Sequence, residues 1–352
     1  MAGKTTNIQW LNTLRALATL GVIVIHISSP LVNMTYSKNM PYWWIGNIVD
    51  SAVRFAVPVF LMLSGATLLG KQYQLGKFYK RRFSRVLLPF LFWLAVYWVY
   101  RWVMLQTAHQ PHSFQAIMKW GGNLFLKEGV SKHFWYIYMI LFVYLFVPFV
   151  GKCVQKINLS TLSNILLLWV VLCFSLKSIP LNMYNWAGDY GSRLLGYGLL
   201  SGYLLLGYYL SKLPKLSCKI RVSAVVFFVL TVAISAGATY FFSQKAHKLD
   251  LSMYAYLSVN TIIQSIAIFI WAKDIDIKNY FIVQLQQSIS NYSYGIYLAH
   301  IMIIGILFQN GIYWKIAHPL ISLPLLTFIV LISSFLIIFV LRKIPGGKYI
   351  AG

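Results

Sequence analysis

Acidic residues are nearly missing from this chain. Asp50, Glu128, Asp189, Asp250, Asp274 and Asp276 are the only six carboxylates in 352 residues, against 30 Lys and Arg, for a net charge of +24. Charge of either sign is scarce too: Asp, Glu, Lys and Arg make up 10% of the sequence, where soluble domains carry about 25%. That scarcity excludes an ordinary water-soluble globule. Cysteine is limited to Cys153, Cys173 and Cys218. Their odd number and irregular spacing exclude a disulfide framework and a cysteine zinc site, and no metal is expected. Internal repeats and low-complexity tracts are absent. Small-x-small cleavage chemistry is absent after the first apolar run, which carries Arg15 and His26, so this run is expected to stay in the mature protein.

Apolar residues fill the space the charges leave, at 59% of the chain, with aromatics at 17% including 12 Trp and 24 Tyr. Rings in such numbers suit lipid–water interfaces. A membrane-crossing helix needs about 20 mostly apolar residues, and ten stretches qualify, near 8–29, 50–70, 86–106, 134–151, 160–178, 193–211, 221–242, 252–272, 289–309 and 319–342. The expected fold is all-α: one polytopic domain over 1–352, with no soluble domain before or after it. With the N-terminus inside, the inner connections carry 18 Lys and Arg and the outer ones 8. By the positive-inside rule both termini are expected in the cytoplasm, and the chain in the plasma (inner) membrane. The basic residues sit between apolar runs, facing membrane lipids, so nucleic acid is not an expected partner.

Ionisable groups at membrane depth mark functional positions by default. Arg15 and His26 are eleven residues apart on the first helix, which places them within about 20° of one face and about 16 Å apart along the axis. The spacing fits a fixed cation for an anionic donor and an imidazole base for a hydroxyl. It equally fits a packing arginine and an interfacial histidine. Asp50 and Arg54, four apart, can pair on one helix face, either as a structural ion pair or to orient His26. Arg193 can pair with Asp189, and Arg101 can reach the interface from a helix end. The run Lys77-Phe-Tyr-Lys-Arg-Arg-Phe-Ser-Arg85 opens the third span. Arg82 and Arg85 share a face there, which suits phosphate at a helix N-terminus as well as a topology signal. His133 and His300 gain meaning only if they converge with His26.

Five segments resemble the acyltransferase 3 family of membrane proteins. They are the Arg15–His26 helix, with ten residues between the pair; Arg54-Phe-Ala-Val-Pro-Val-Phe-Leu-Met-Leu-Ser-Gly65; Arg82-Phe-Ser-Arg85 followed by Val-Leu-Leu-Pro; His133-Phe-Trp-Tyr; and Ser293-Tyr-Gly-Ile-Tyr-Leu-Ala-His300. Their order over some 290 residues is similar to the stand-alone type that O-acetylates enterobacterial common antigen, without the hydrolase-like domain some members append. The resemblance implies ten helices and transfer of an acetyl (acyl) group from acetyl-CoA, as donor substrate, to a hydroxyl of a cell-envelope or exported polysaccharide or its lipid-linked precursor. It implies His26 and Arg15 as the catalytic pair and Arg81, Arg82 and Arg85 as donor-binding residues. Asp50, Arg54, His133, Trp135 and His300 are implied in substrate binding or support. A transporter or flippase for a lipid-linked sugar, and a non-catalytic scaffold or sensor, are the alternatives. Inverted repeats would mark the transporter, and none is visible.

Overall fold

The computed structural model describes residues 2–107, 131–177, 188–273 and 275–352. Lys119, Lys127, Glu128, Asp274 and the side chain of Asp189, expected to pair with Arg193, lie outside the described part. Among the described residues there are twelve α-helices, four short 3-10 turns and no strand. The helices are α1 (Ala2–Thr35), α2 (Met40–Val53), α3 (Ala56–Leu68), α4 (Leu75–Thr107), α5 (Trp135–Val154), α6 (Leu159–Lys177), α7 (Gly188–Leu200), α8 (Gly202–Lys212), α9 (Cys218–Lys245), α10 (Val259–Ala272), α11 (Tyr280–Gln309) and α12 (Pro319–Lys343).

Ten helical segments are long and apolar enough to cross a bilayer. This is the number read from the sequence, but three of the ten are broken, the eighth, Ser252–Ala272, at residues 255–258 between a 3-10 turn and α10. The second span, Met40–Leu68, consists of α2 and α3 with a step at Arg54 and Phe55. The cause is local. Pro58 stands in the first turn of α3 and has no N–H to offer the carbonyl of Arg54, and its ring crowds the preceding turn. The sixth span, Arg193–Lys212, is interrupted at Ser201 between α7 and α8. Several helices also run past their apolar stretch. Asn39 caps α2 by accepting from the Tyr42 amide at 3.1 Å, and Asn279 caps α11 through the Ile282 amide at 3.2 Å.

α1 is the central helix, packed by α2, α3, α11 and α12. Leu14, Ala18 and Leu31 on it are fully buried. α3 and α8 approach most closely. A Cβ on Gly65 would overlap the Leu204 main chain, and one on Gly207 the Met62 main chain. Small residues at such a crossing let two backbones touch, which is how helices gain contact where lipid offers no hydrophobic drive. Outward faces stay apolar: Leu167, Leu168 and Phe174 on α6, Phe227 and Phe241 on α9, and Leu320, Ile321 and Phe328 on α12 are all exposed. Backbone polar groups are closed inside the helices, as a hydrocarbon surround requires.

Candidate active site

Three histidines from distant parts of the chain meet. His26 lies on α1, His133 in the 3-10 turn Lys132–Phe134, and His300 on α11. The His26 and His300 ring centroids are 5.2 Å apart, and those of His133 and His300 5.4 Å. Their burial differs: His133 and His300 are buried, while His26 keeps partial exposure. His26 is therefore the member a substrate can reach, and the other two stand behind it.

Hydrogen bonds fix the rear pair. His300 Nδ1 lies 2.6 Å from the Tyr297 carbonyl oxygen. A carbonyl only accepts, so Nδ1 carries the proton and Nε2 is left as a lone-pair acceptor. His133 Nδ1 meets the Ser131 hydroxyl at 2.8 Å. The Nε2 atoms of both rings are buried without a partner, a condition native proteins rarely leave unused. His133 precedes its span. Burial, with His300 and His26 beside it, holds its pKa well below the ordinary histidine value, so it is neutral at neutral pH.

Tyr97 on α4 locks the turn of α11 that carries His300. Its hydroxyl donates to the Leu298 carbonyl at 2.9 Å and accepts from the Met302 amide at 2.9 Å. These two groups are four residues apart and would otherwise bond to each other, so a side chain is inserted into the helical ladder.

A cavity of about 740 Å³ opens beside this cluster. Arg15, Arg82, Arg85, Arg342 and Lys348 line it, and no Asp or Glu does. Five cations in one cleft without an Asp or Glu side chain are repulsive among themselves and call for an anion. Arg15 Nη1 donates to the Ser290 hydroxyl at 2.9 Å, which in turn donates to Asn12 Oδ1 at 2.8 Å. Tyr136 and Tyr297 also line the cavity. Tyr297 is the partition between cavity and histidines: its hydroxyl donates to the His133 carbonyl, and its ring centroid is 5.4 Å from that of His133 and 5.7 Å from that of His300. His26 lies beyond this partition. It borders a separate recess of about 20 Å³, with Pro30, Ile304 and Trp314 among its walls.

A family model described as an acyltransferase domain matches residues 8–343. The chain belongs to the acyltransferase 3 family. It is a multi-pass membrane acyltransferase, with ten spans in the described residues. No curated protein and no solved structure matches the chain.

The residues singled out in the sequence divide into groups in this acyltransferase. His26, His133 and His300 converge, and Arg15, Arg82 and Arg85 share the cavity. Arg81 is exposed and is not among the cavity residues. Asp50 and Arg54 form an ion pair along α2, with the Arg54 guanidinium 4.1 Å from the Tyr254 ring centroid. Tyr254 is tied to Asn47 Oδ1 at 2.6 Å, and Asn47 Nδ2 to the Ala236 carbonyl at 3.0 Å. That network joins α2 to α9 outside the cavity. Trp135 stacks on Tyr256 at 5.6 Å and does not border the cavity either. Sequence reasoning passed over Tyr136, Tyr297, Ser290, Arg342 and Lys348. A signal existed for α11: Ser290, Ser293, Tyr294, Tyr297 and His300 recur at three- and four-residue spacing, a polar stripe on a helix otherwise apolar enough to span a membrane.

Proposed function

We propose that this acyltransferase moves an acetyl group from acetyl-CoA to a hydroxyl of a cell-envelope or exported polysaccharide, or of its lipid-linked precursor, in the bacterial inner membrane. The observation that carries the reading is the cavity of five cations and no Asp or Glu side chain, ending at a tyrosine in contact with His133 and His300, the second of which meets His26. A phosphate-rich donor neutralises such a cleft, and the volume lies within the range of small-molecule sites. With both termini in the cytoplasm, the cavity's basic mouth faces the compartment that holds acetyl-CoA.

In this reading Arg82 and Arg85 take the nucleotide end, and the pantetheine arm runs past Arg15 toward Tyr297. The acceptor hydroxyl approaches from the other side, through the recess that His26 borders. Neutral His26 accepts the hydroxyl proton as the oxygen attacks the thioester carbonyl. The C–O bond forms, the C–S bond breaks, and the departing thiolate takes the proton back from the imidazolium. Movement of Tyr297 joins the two compartments, since its ring stands between them. His133 and His300 stand behind His26 and orient it.

The test is acetyl-CoA binding to purified protein in detergent, wild type against the Arg82→Ala, Arg85→Ala double variant. Clear weakening in a folded variant supports the donor assignment. A folded wild-type protein that binds no acetyl-CoA removes it.

A further inference from the structure

The segment after α12 does not leave the bundle. Gly346 turns it in the left-handed region at φ 76°, a 3-10 turn follows over Gly347–Tyr349, and Ala351 is fully buried. Ala351 packs against α11 at Gly295, where an added Cβ would overlap the Ala351 carbonyl and the Ile338 side chain. Arg342 anchors the return by donating to the Asn291 carbonyl at 2.9 Å and to the main-chain oxygen of Gly352. The turn also touches α4. Residues 344–352 thus form a strap, and it brings Lys348, Tyr349 and Gly352 to the cavity wall beside Arg342.

The cavity's cations therefore come from separate supports. Arg82 and Arg85 stand on the first turns of α4, and Arg342 and Lys348 stand on the end of α12 and the strap. Lys348 is exposed and makes no ion pair with any described residue; its ammonium lies 5.1 Å from the Tyr349 ring centroid. Resting on the acyl-CoA reading above, we propose that the strap is one jaw of the donor site: Arg342 and Lys348 hold one of the donor's phosphate groups while Arg82 and Arg85 hold the other. A coenzyme A thioester has two such groups, a diphosphate and a 3′-phosphomonoester on the ribose, set apart by the sugar. Two cation pairs on different supports match two anionic groups better than one continuous patch, because each pair can close on its own phosphate.

Lys348→Gln is the variant of choice, because the strap is held by Arg342, Gly347 and Ala351 and not by the Lys348 side chain. Binding of acetyl-CoA and of 3′-dephospho-CoA is measured calorimetrically on the full chain in detergent at low salt. Wild type, Lys348→Gln, Lys348→Arg, the Arg82→Ala, Arg85→Ala double variant and Lys343→Gln are compared. Loss of one charge-assisted phosphate contact at an exposed position corresponds to about threefold to tenfold weaker acetyl-CoA binding. Lys348→Gln shows this loss, Lys348→Arg recovers it, and Lys343→Gln, outside the cavity, binds like wild type. The loss shrinks as salt is added. Wild type prefers acetyl-CoA to 3′-dephospho-CoA. One of Lys348→Gln and the Arg82, Arg85 variant gives up part of that preference, and the other keeps it. Wild-type affinity in Lys348→Gln at low salt, or the same change of preference in both, overturns the two-jaw proposal while leaving the donor reading standing. Absence of acetyl-CoA binding by folded wild type overturns the donor reading, and the proposal with it.

Discussion

Removing Asp50 isolates a guanidinium in the interior of a membrane protein, and the consequence can be worked from its surroundings. Asp50 and Arg54 are paired with side chains 1% and 13% exposed. In Asp50→Ala the cation keeps the Tyr256 side chain and the Tyr254 ring at 4.1 Å, the latter an interaction of about 0.5–2 kcal/mol. Breaking a buried pair by deleting one partner costs about 3–5 kcal/mol, and a lone arginine deep in a bilayer carries about 2.5–3.5 kcal/mol on insertion scales. The expected loss is about 3 kcal/mol, since Arg54's residual exposure trims the upper figure. The double variant Asp50→Ala, Arg54→Met removes both charges and recovers part of the loss, and with the Arg54→Met single variant it closes a cycle with a coupling energy of at least about 1.5 kcal/mol. SDS-titration unfolding of the purified single and double variants measures it. Losses that simply add, or an Asp50→Ala protein as stable as wild type, would refute the claim that the pair is a buried structural bond.

Two further outcomes follow from packing and protonation. His133 is buried with its pKa held below the ordinary 6.5, so the unfolded chain binds a proton that the folded one refuses. Stability therefore rises with pH in the window below 6.5 and is lost as pH falls through it, at up to about 1.4 kcal/mol per pH unit from this group; a melting temperature that drops between pH 7 and 5 in wild type, and drops less in His133→Gln, is the expected result. Gly207→Val drives a branched side chain into the Met62 main chain, at a crossing with no slack, so this variant is expected to accumulate poorly and to elute as aggregate in size-exclusion chromatography, whereas Gly198→Val, with nothing within 4 Å of its Cβ, is expected to behave as wild type.

The sequence carried the spans because hydropathy is a local property, and ten runs of apolar residues are ten runs in any fold. It did not carry the break at Arg54, although Pro58 advertised it: the apolar run continues through the step, and hydropathy is blind to a missing N–H. The apolar runs begin after the helix starts at Met40 and Tyr280 for a related reason, since a helix goes on past the lipid boundary where its residues turn polar. At the site, intrahelical spacing set Arg15 with His26 and Arg82 with Arg85 on shared helix faces, and the resemblance supplied the roles proposed for them. The convergence of His133 and His300 on His26 joins residues as much as 274 apart in the sequence, and no periodicity reaches that far. Arg342 and Lys348 were read as topology signals because their part in the cavity depends on the strap folding back, which rests on Gly295 accepting Ala351. Arg81 shows the reverse. It lies beside Arg82 in sequence, but a helix turns adjacent residues about 100° apart, and only Arg82 of the two lines the cavity.

His26, bordering the recess and separated from the basic cavity by Tyr297, takes a proton from an acceptor hydroxyl during acyl transfer in the proposed reaction. The direct measurement is transfer of radiolabel from acetyl-CoA to membrane glycan by vesicles containing wild-type or His26→Ala protein, with insertion checked by detergent extraction. Labelled glycan is expected with wild type, and background labelling with a normally inserted His26→Ala protein. Wild-type labelling by His26→Ala would contradict this role for His26.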